Sequence, residues 1–180
     1  MKAKKYWLLA IMSAICLTGI WAARSFGELT GKQQSLAEIK ALYVFVQGLT
    51  EETKKAGLTT EQIQTDVEDK LKQLGISVVS EEEGLRLPGS PVFYVNISAR
   101  RRPQRPSFVF HIDAGVLQEV SLVRDPKIRT MSITWNKGRL GQCHSRAFVE
   151  SIRESVGYLT DRFREDYRAA NPQTKTPKES

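Results

Sequence analysis

The 180-residue chain is poor in the side chains that do chemistry. It has two cysteines, Cys16 and Cys143, and two histidines, His111 and His144. Cys16 lies inside the first apolar run, so a chain that loses this run keeps one cysteine and can form no internal disulfide. No His/Cys/carboxylate spacing matches a zinc site. The Glu81-Glu82-Glu83 run lacks the alternating ligands and glycine of a calcium loop. There is no G-x-S-x-G and no phosphate-binding glycine loop. No metal and no cofactor are implied, and no reaction is pointed to. Cys143 and His144 are neighbours in sequence, but a nucleophile and its base meet in space, so this pair reads as structural. The sequon Asn96-Ile97-Ser98 falls in a predicted strand and reads as coincidence.

Long apolar runs are absent beyond residue 23, which makes the first one stand out. Lys2, Lys4 and Lys5 precede an apolar run from Tyr6 to Ala23, and Arg24 follows it. A basic flank before an apolar core is the layout of a secretory signal. Ser25-Phe26-Gly27 places small residues at −3 and −1 of a cut before Glu28. The run is also long enough to span a bilayer, which takes roughly 17–25 residues. Trp7 and Trp21 stand where interfacial aromatics belong. Residues 1–27 are therefore read as a signal peptide or an N-terminal membrane anchor. Ile15 before Cys16 argues against a lipoprotein. Either fate makes the rest of the chain exported: periplasmic or otherwise extracytoplasmic, free or held at the inner membrane.

This segment also changes the charge reading. The whole chain carries a formal +7. Residues 1–27 hold Lys2, Lys4, Lys5 and Arg24 and no acid, so the remainder carries +3. The basic excess that would suggest nucleic acid is largely targeting charge, and no nucleic acid is expected.

The remaining length suits one domain. Residues 28–35 read as a linker, 36–170 as a single α/β domain, and 171–180, with Pro172 and Pro177, as a disordered tail. Ala41 to Val46 is β-branched and aromatic, a buried strand. Thr59 with Gln62 forms a capping box that opens a helix. Ile63, Val67, Leu71 and Leu74 make its apolar stripe, and Gly75 ends it. Ile76 to Ser80 is a short strand, and Ser80 to Pro91 an exposed loop.

Phe93, Val95, Ile97 and Ala99 alternate with polar residues, as do Phe108, Phe110, Ile112 and Ala114. That second strand's apolar face continues through Val116, Val120 and Leu122, past a bend or bulge at Gly115. Asp125-Pro126-Lys127 reads as a turn. Met131, Ile133 and Trp135 alternate with Thr130, Ser132 and Thr134 in a last strand that ends at the turn-forming Asn136-Lys137-Gly138. A long helix runs from about Ser145 to Ala170. Phe148, Val149, Ile152, Val156, Leu159, Phe163 and Tyr167 share one face of it. The order β-α-β-β-β-β-α predicts a mixed, mainly antiparallel sheet of about five strands, with two helices on one face and the other face partly bare.

Two groups on this frame are candidate sites. Arg100, Arg101, Arg102 and Arg105 crowd one hairpin, with Pro103 and Pro106. Such a tip can meet an envelope protein or an anionic membrane surface, or it can simply be a solvated hairpin end. The second is an alternative ligand face: Tyr94, Asn96, His111 and Asp113. A register pairing Ile97 with Phe110 sets Asn96 opposite His111 and Tyr94 opposite Asp113. The same face can equally be the ordinary polar side of an antiparallel sheet.

Two phrases carry a resemblance: Gly57-Leu58-Thr59 through Gly75-Ile76, and Phe163-x-x-x-Tyr167-x-x-Ala170-Asn171-Pro172. Together they are similar to small, uncharacterised exported proteins of bacteria. The resemblance implies export and an α/β domain and transfers no catalytic residue. The expectation is a non-catalytic exported or tethered domain that binds a partner or assists assembly in the bacterial envelope. Its rival is a small-ligand binder or enzyme using the polar sheet face.

Overall fold

In the computed structural model, which describes residues 29–172, five strands form one mixed sheet. They are β1 (Ala41–Gln47), β2 (Ser77–Val79), β3 (Val92–Arg101), β4 (Ser107–Leu122) and β5 (Asp125–His144), in the spatial order β2-β1-β3-β4-β5. β1 runs parallel to both β2 and β3, while β3–β4 and β4–β5 are antiparallel. The chain divides into Met1–Thr30 and Gly31–Ser180, and the fold described belongs to the second unit. The apolar run 6–23 and the end of the tail lie outside the described residues. No helix among the described residues is long and apolar enough to cross a membrane.

Five helices accompany the sheet: α1 (Gly31–Gln34), α2 (Glu51–Lys55), α3 (Thr60–Lys72), α4 (Glu81–Gly84) and α5 (Phe148–Ala170). The capping box is present at α3: Thr59 Oγ1 accepts from the Gln62 N–H, and Gln62 Oε1 accepts from the Thr59 N–H. Its stripe Ile63, Val67 and Leu71 is fully buried. Gly75, at φ 77°, takes the left-handed conformation that stops the helix. A 3-10 turn, Ser145–Ala147, leads into α5. Phe148, Ile152, Val156, Leu159, Phe163 and Tyr167 of α5 are all buried.

α3 packs on β1 and on α5, and α5 packs on β4 and β5, so both long helices cover one face of the sheet. Between them and the sheet lies an aromatic cluster. The ring of Phe163 meets Phe93 at 5.0 Å and Trp135 at 5.3 Å, both edge-on. Asp166 of α5 accepts from Trp135 Nε1 at 2.9 Å and from Gln33 Nε2 of α1 at 2.8 Å. Asn171 follows α5 and also ties down this end: its Nδ2 donates to Leu36 O and its Oδ1 accepts from Glu38 N.

Several expectations need correction. The Ser80–Pro91 link is not all loop, because Ser80 and Glu83 form a second capping box and start α4. This segment carries the chain across β1 on the face away from the long helices. There Gly84 presses on Tyr43 so closely that a Cβ would lie 2.9 Å from that of Tyr43. Asn136-Lys137-Gly138 does not end a strand; it lies in mid-β5, opposite Gly115, Ala114 and Asp113. Turn-forming composition is overridden there by ladder pairing. The β4–β5 turn is not Asp125-Pro126-Lys127 but Val123-Arg124, since Leu122 pairs with Asp125.

Met131 and Ile133 also take the face opposite to Trp135, against the expected alternation. Val116 pairs with Trp135, but Leu117 pairs with Ile133, leaving Thr134 as the extra residue of a bulge. One extra residue reverses the alternation. Trp135 is fully buried on the helix side, while Met131 and Ile133 are exposed on the other. Gly115, read as a bend or bulge, instead pairs in register with Tyr94 and Asn136, and the bulge is on β5 opposite Val116 and Leu117.

Candidate functional site at the arginine hairpin

β3 and β4 are joined by residues 102–106. The loop closes through Arg102 N–H to Ser107 O (2.9 Å), Arg105 N–H to Arg102 O (3.4 Å) and Ser107 N–H to Arg105 O (2.8 Å). This closure sets the register of the whole hairpin. The expected pairing of Ile97 with Phe110 would have placed Pro106 opposite Arg101, inside the ladder. Proline has no N–H to give there. Both prolines instead stay in the loop and the pairing moves by two residues: Ile97 faces Ile112 and Ala99 faces Phe110. The shift is even, so every side chain keeps its expected face.

The four arginines do not form one cluster but fan around the end of the sheet. Strand alternation sends Arg100 to the face away from the long helices and Arg101 to the helix side. Arg101 lines a depression of about 470 Å³ with Glu52, Lys55, Ala56, Phe108 and Ser145. Arg102 reaches across to β5, where its Nη1 donates to Gln142 Oε1 at 3.2 Å. Arg105 lies in the exposed loop and lines a second hollow with Arg102, Pro103 and Pro106. A third, of about 500 Å³, lies between residues 96–100 and Gly48, Thr50, Glu51 and Glu52. Among the described residues, none of the four guanidinium groups is ion-paired with a carboxylate. Glu52 alone borders all three hollows as a counter-charge. The Oγ atoms of Ser107 and Ser145, where β4 begins and β5 ends, are buried with no hydrogen-bond partner.

Glu52 and Lys55 were not read from the sequence as part of this end. They are separated from Arg101 by more than forty residues, and only the turn of β1 into α2 at Gly48 brings them there. No local pattern announces that proximity.

The second group is partly assembled. His111 Nδ1 lies 3.2 Å from Asp113 Oδ2, both on the face away from the long helices. Asn96 faces Asp113, Ser98 faces His111, and Tyr94 faces Gly115, so the expected Asn96–His111 and Tyr94–Asp113 pairings are not formed. The Tyr94 ring lies against Gly115, where a Cβ would come within 2.6 Å of it. Burial raises the Tyr94 phenol pKa, and the charge of Asp113 raises it further. Asn96 turns the other way: its Oδ1 would be 2.7 Å from a Cβ at Gly48. The structure thus keeps Tyr94, Asn96, His111 and Asp113 on one face, with the Asn96 amide oxygen directed toward Gly48. The 500 Å³ hollow takes in Asn96 and none of the other three.

Cys143 pairs with Phe108 and packs against the core, and His144 Nδ1 accepts from Arg146 N–H as the cap of the 3-10 turn. Both have structural positions. Among the described residues, no three His, Cys, Asp or Glu side chains are placed to hold a metal ion.

No protein-family model matches the chain, and no curated protein is detectably similar to it. Solved structures that are distantly alike include two bacterial proteins. One is a dodecamer of a PelC point variant from Paraburkholderia phytofirmans, at 12% identity over 67% of this chain and 84% of that one, with a TM-score of 0.43. The other is a minor lipoprotein from Acinetobacter baumannii, at 13% identity over 76% and 95%, with a TM-score of 0.38. At these scores neither likeness bears on function or assembly.

Proposed function

We propose that the chain is a non-catalytic, exported or membrane-tethered domain of the bacterial envelope that recognises an anionic partner through the Arg100–Arg105 end. The observation that carries this reading is the set of four guanidinium groups left without carboxylate partners around one end of the sheet. Guanidinium groups free of carboxylates keep most of their five donors available and suit carboxylate or phosphate oxygens. Their fan-shaped arrangement, with hollows between, suits a contoured partner better than a flat one. The basic run before Tyr6 supports export.

The place of α1 favours access. Lys32 bonds to Asn136, which is opposite Gly115, eight residues along β4 from Ser107. At about 3.4 Å per residue, the arginine end is about 27 Å away. A partner can engage the arginines without meeting α1. The test is recovery of bound envelope components with the intact chain and with Arg100→Glu, Arg102→Glu and Arg105→Glu combined.

A further inference from the structure

We infer that the sheet face left open by the long helices is a self-association surface on which a second copy of this chain packs face to face. The face includes Arg100 of the arginine end, but its exposed apolar residues lie outside the Arg100–Arg105 segment. Five of the nine exposed large hydrophobic residues lie on this one face: Leu140 (74% exposed), Ile133 (51%), Met131 (44%), Phe45 (42%) and Val109 (37%). The bulge at Thr134 is what turns two of them outward. A solvated sheet face alternates to polar residues, and large apolar patches on a soluble domain mark interaction sites.

Charge permits this occupant. Outside residues 1–27 the chain carries only +3, so long-range charge does not keep a second copy away. This face carries Arg100 and Arg129 against Asp113 and Glu119, with Arg102 at its edge on Gln142, so its charges nearly balance. The acids are already engaged: Glu119 pairs with Arg129, and Asp113 lies beside His111. A face with nearly balanced charge and five exposed apolar side chains suits a second such face better than a strongly charged surface.

The size is also adequate. Three strands and the open half of β1, at about 4.8 Å spacing, span about 17 Å, and the ten residues of β3 run about 33 Å. Two such faces bury about 1,100 Å², above the roughly 1,000 Å² that a specific interface needs. Stacked sheets in this arrangement lie about 10 Å apart with strands within about 30° of one another. α4 covers Tyr43 but stops short of Phe45, which leaves β3, β4 and β5 clear.

The test is the molar mass of the intact chain in neutral detergent, by light scattering across a concentration series. It compares wild type with Leu140→Glu and Ile133→Glu, and with Tyr158→Glu on the helix side as control. A wild-type dimer with a dissociation constant on the order of micromolar is expected. Each face variant should weaken it at least about 30-fold, with unchanged far-UV dichroism and melting, while Tyr158→Glu stays dimeric. A wild type that is monomeric throughout overturns the inference. So does a dimer that survives both face variants, since association would then reside elsewhere.

Discussion

Trp135 and Asp166 join the last strand to the last helix through one hydrogen bond of 2.9 Å in the aromatic cluster. The same carboxylate holds Gln33 of α1 and lies 3.9 Å from Lys137. Three elements distant in sequence therefore meet on one side chain. Asp166→Ala strands a buried indole N–H and should cost about 3 kcal/mol. Asp166→Asn, whose amide oxygen can still accept from Trp135, should cost about 1 kcal/mol. Urea unfolding of the two variants checks this, and equal losses would mean that the Trp135 bond contributes little.

Gly115 is required by space and not by backbone angle. A Cβ there would come within 2.6 Å of the Tyr94 ring and 2.7 Å of the Trp135 carbonyl oxygen. Gly115→Ala should destabilise by about 1–3 kcal/mol. Adding Tyr94→Ala should restore only part of the loss, because the Trp135 carbonyl is backbone and cannot move aside. A double-mutant cycle measures this, and full restoration would show that the ring alone sets the constraint.

Tyr94 gives the face a signature at high pH. Its folded pKa is raised above the ordinary value of about 10. The folded state therefore holds this proton more tightly than the unfolded state does. The associated stability is complete below about pH 10 and is lost as pH rises through the folded pKa. Burial is the larger cause, so Asp113→Asn should move the titration down only part of the way. Ultraviolet difference titration of Tyr94 in the two proteins reads the shift. No movement would mean that the Asp113 charge is not felt.

Much of the frame was legible because its signals are local. Thr59 and Gln62 cap α3 with their own side chains, and the alternation from Phe93 to Ala99 needs only one buried face. The Ser80–Glu83 box was equally local and was obscured by the acidic run that contains it. What stayed hidden depends on partners. Thr134 becomes a bulge only against Val116 and Leu117, and that one residue decides which face Ile133 takes. The hairpin register follows from excluding Pro106 from the ladder, a rule that could have been applied to the sequence. The neighbourhood of Arg101, Lys55 and Glu52 exists only once β1 turns into α2.

That the arginine end is the recognition surface is tested most directly by affinity recovery from intact envelope with the full-length chain. The comparison is wild type against the combined Arg100→Glu, Arg102→Glu and Arg105→Glu variant. These side chains are outside the core, so unfolding free energy should change by no more than about 0.5 kcal/mol. A partner recovered with wild type should be lost with the variant, and added salt should weaken the wild-type complex. Equal recovery by a folded variant would contradict the proposed role of these arginines.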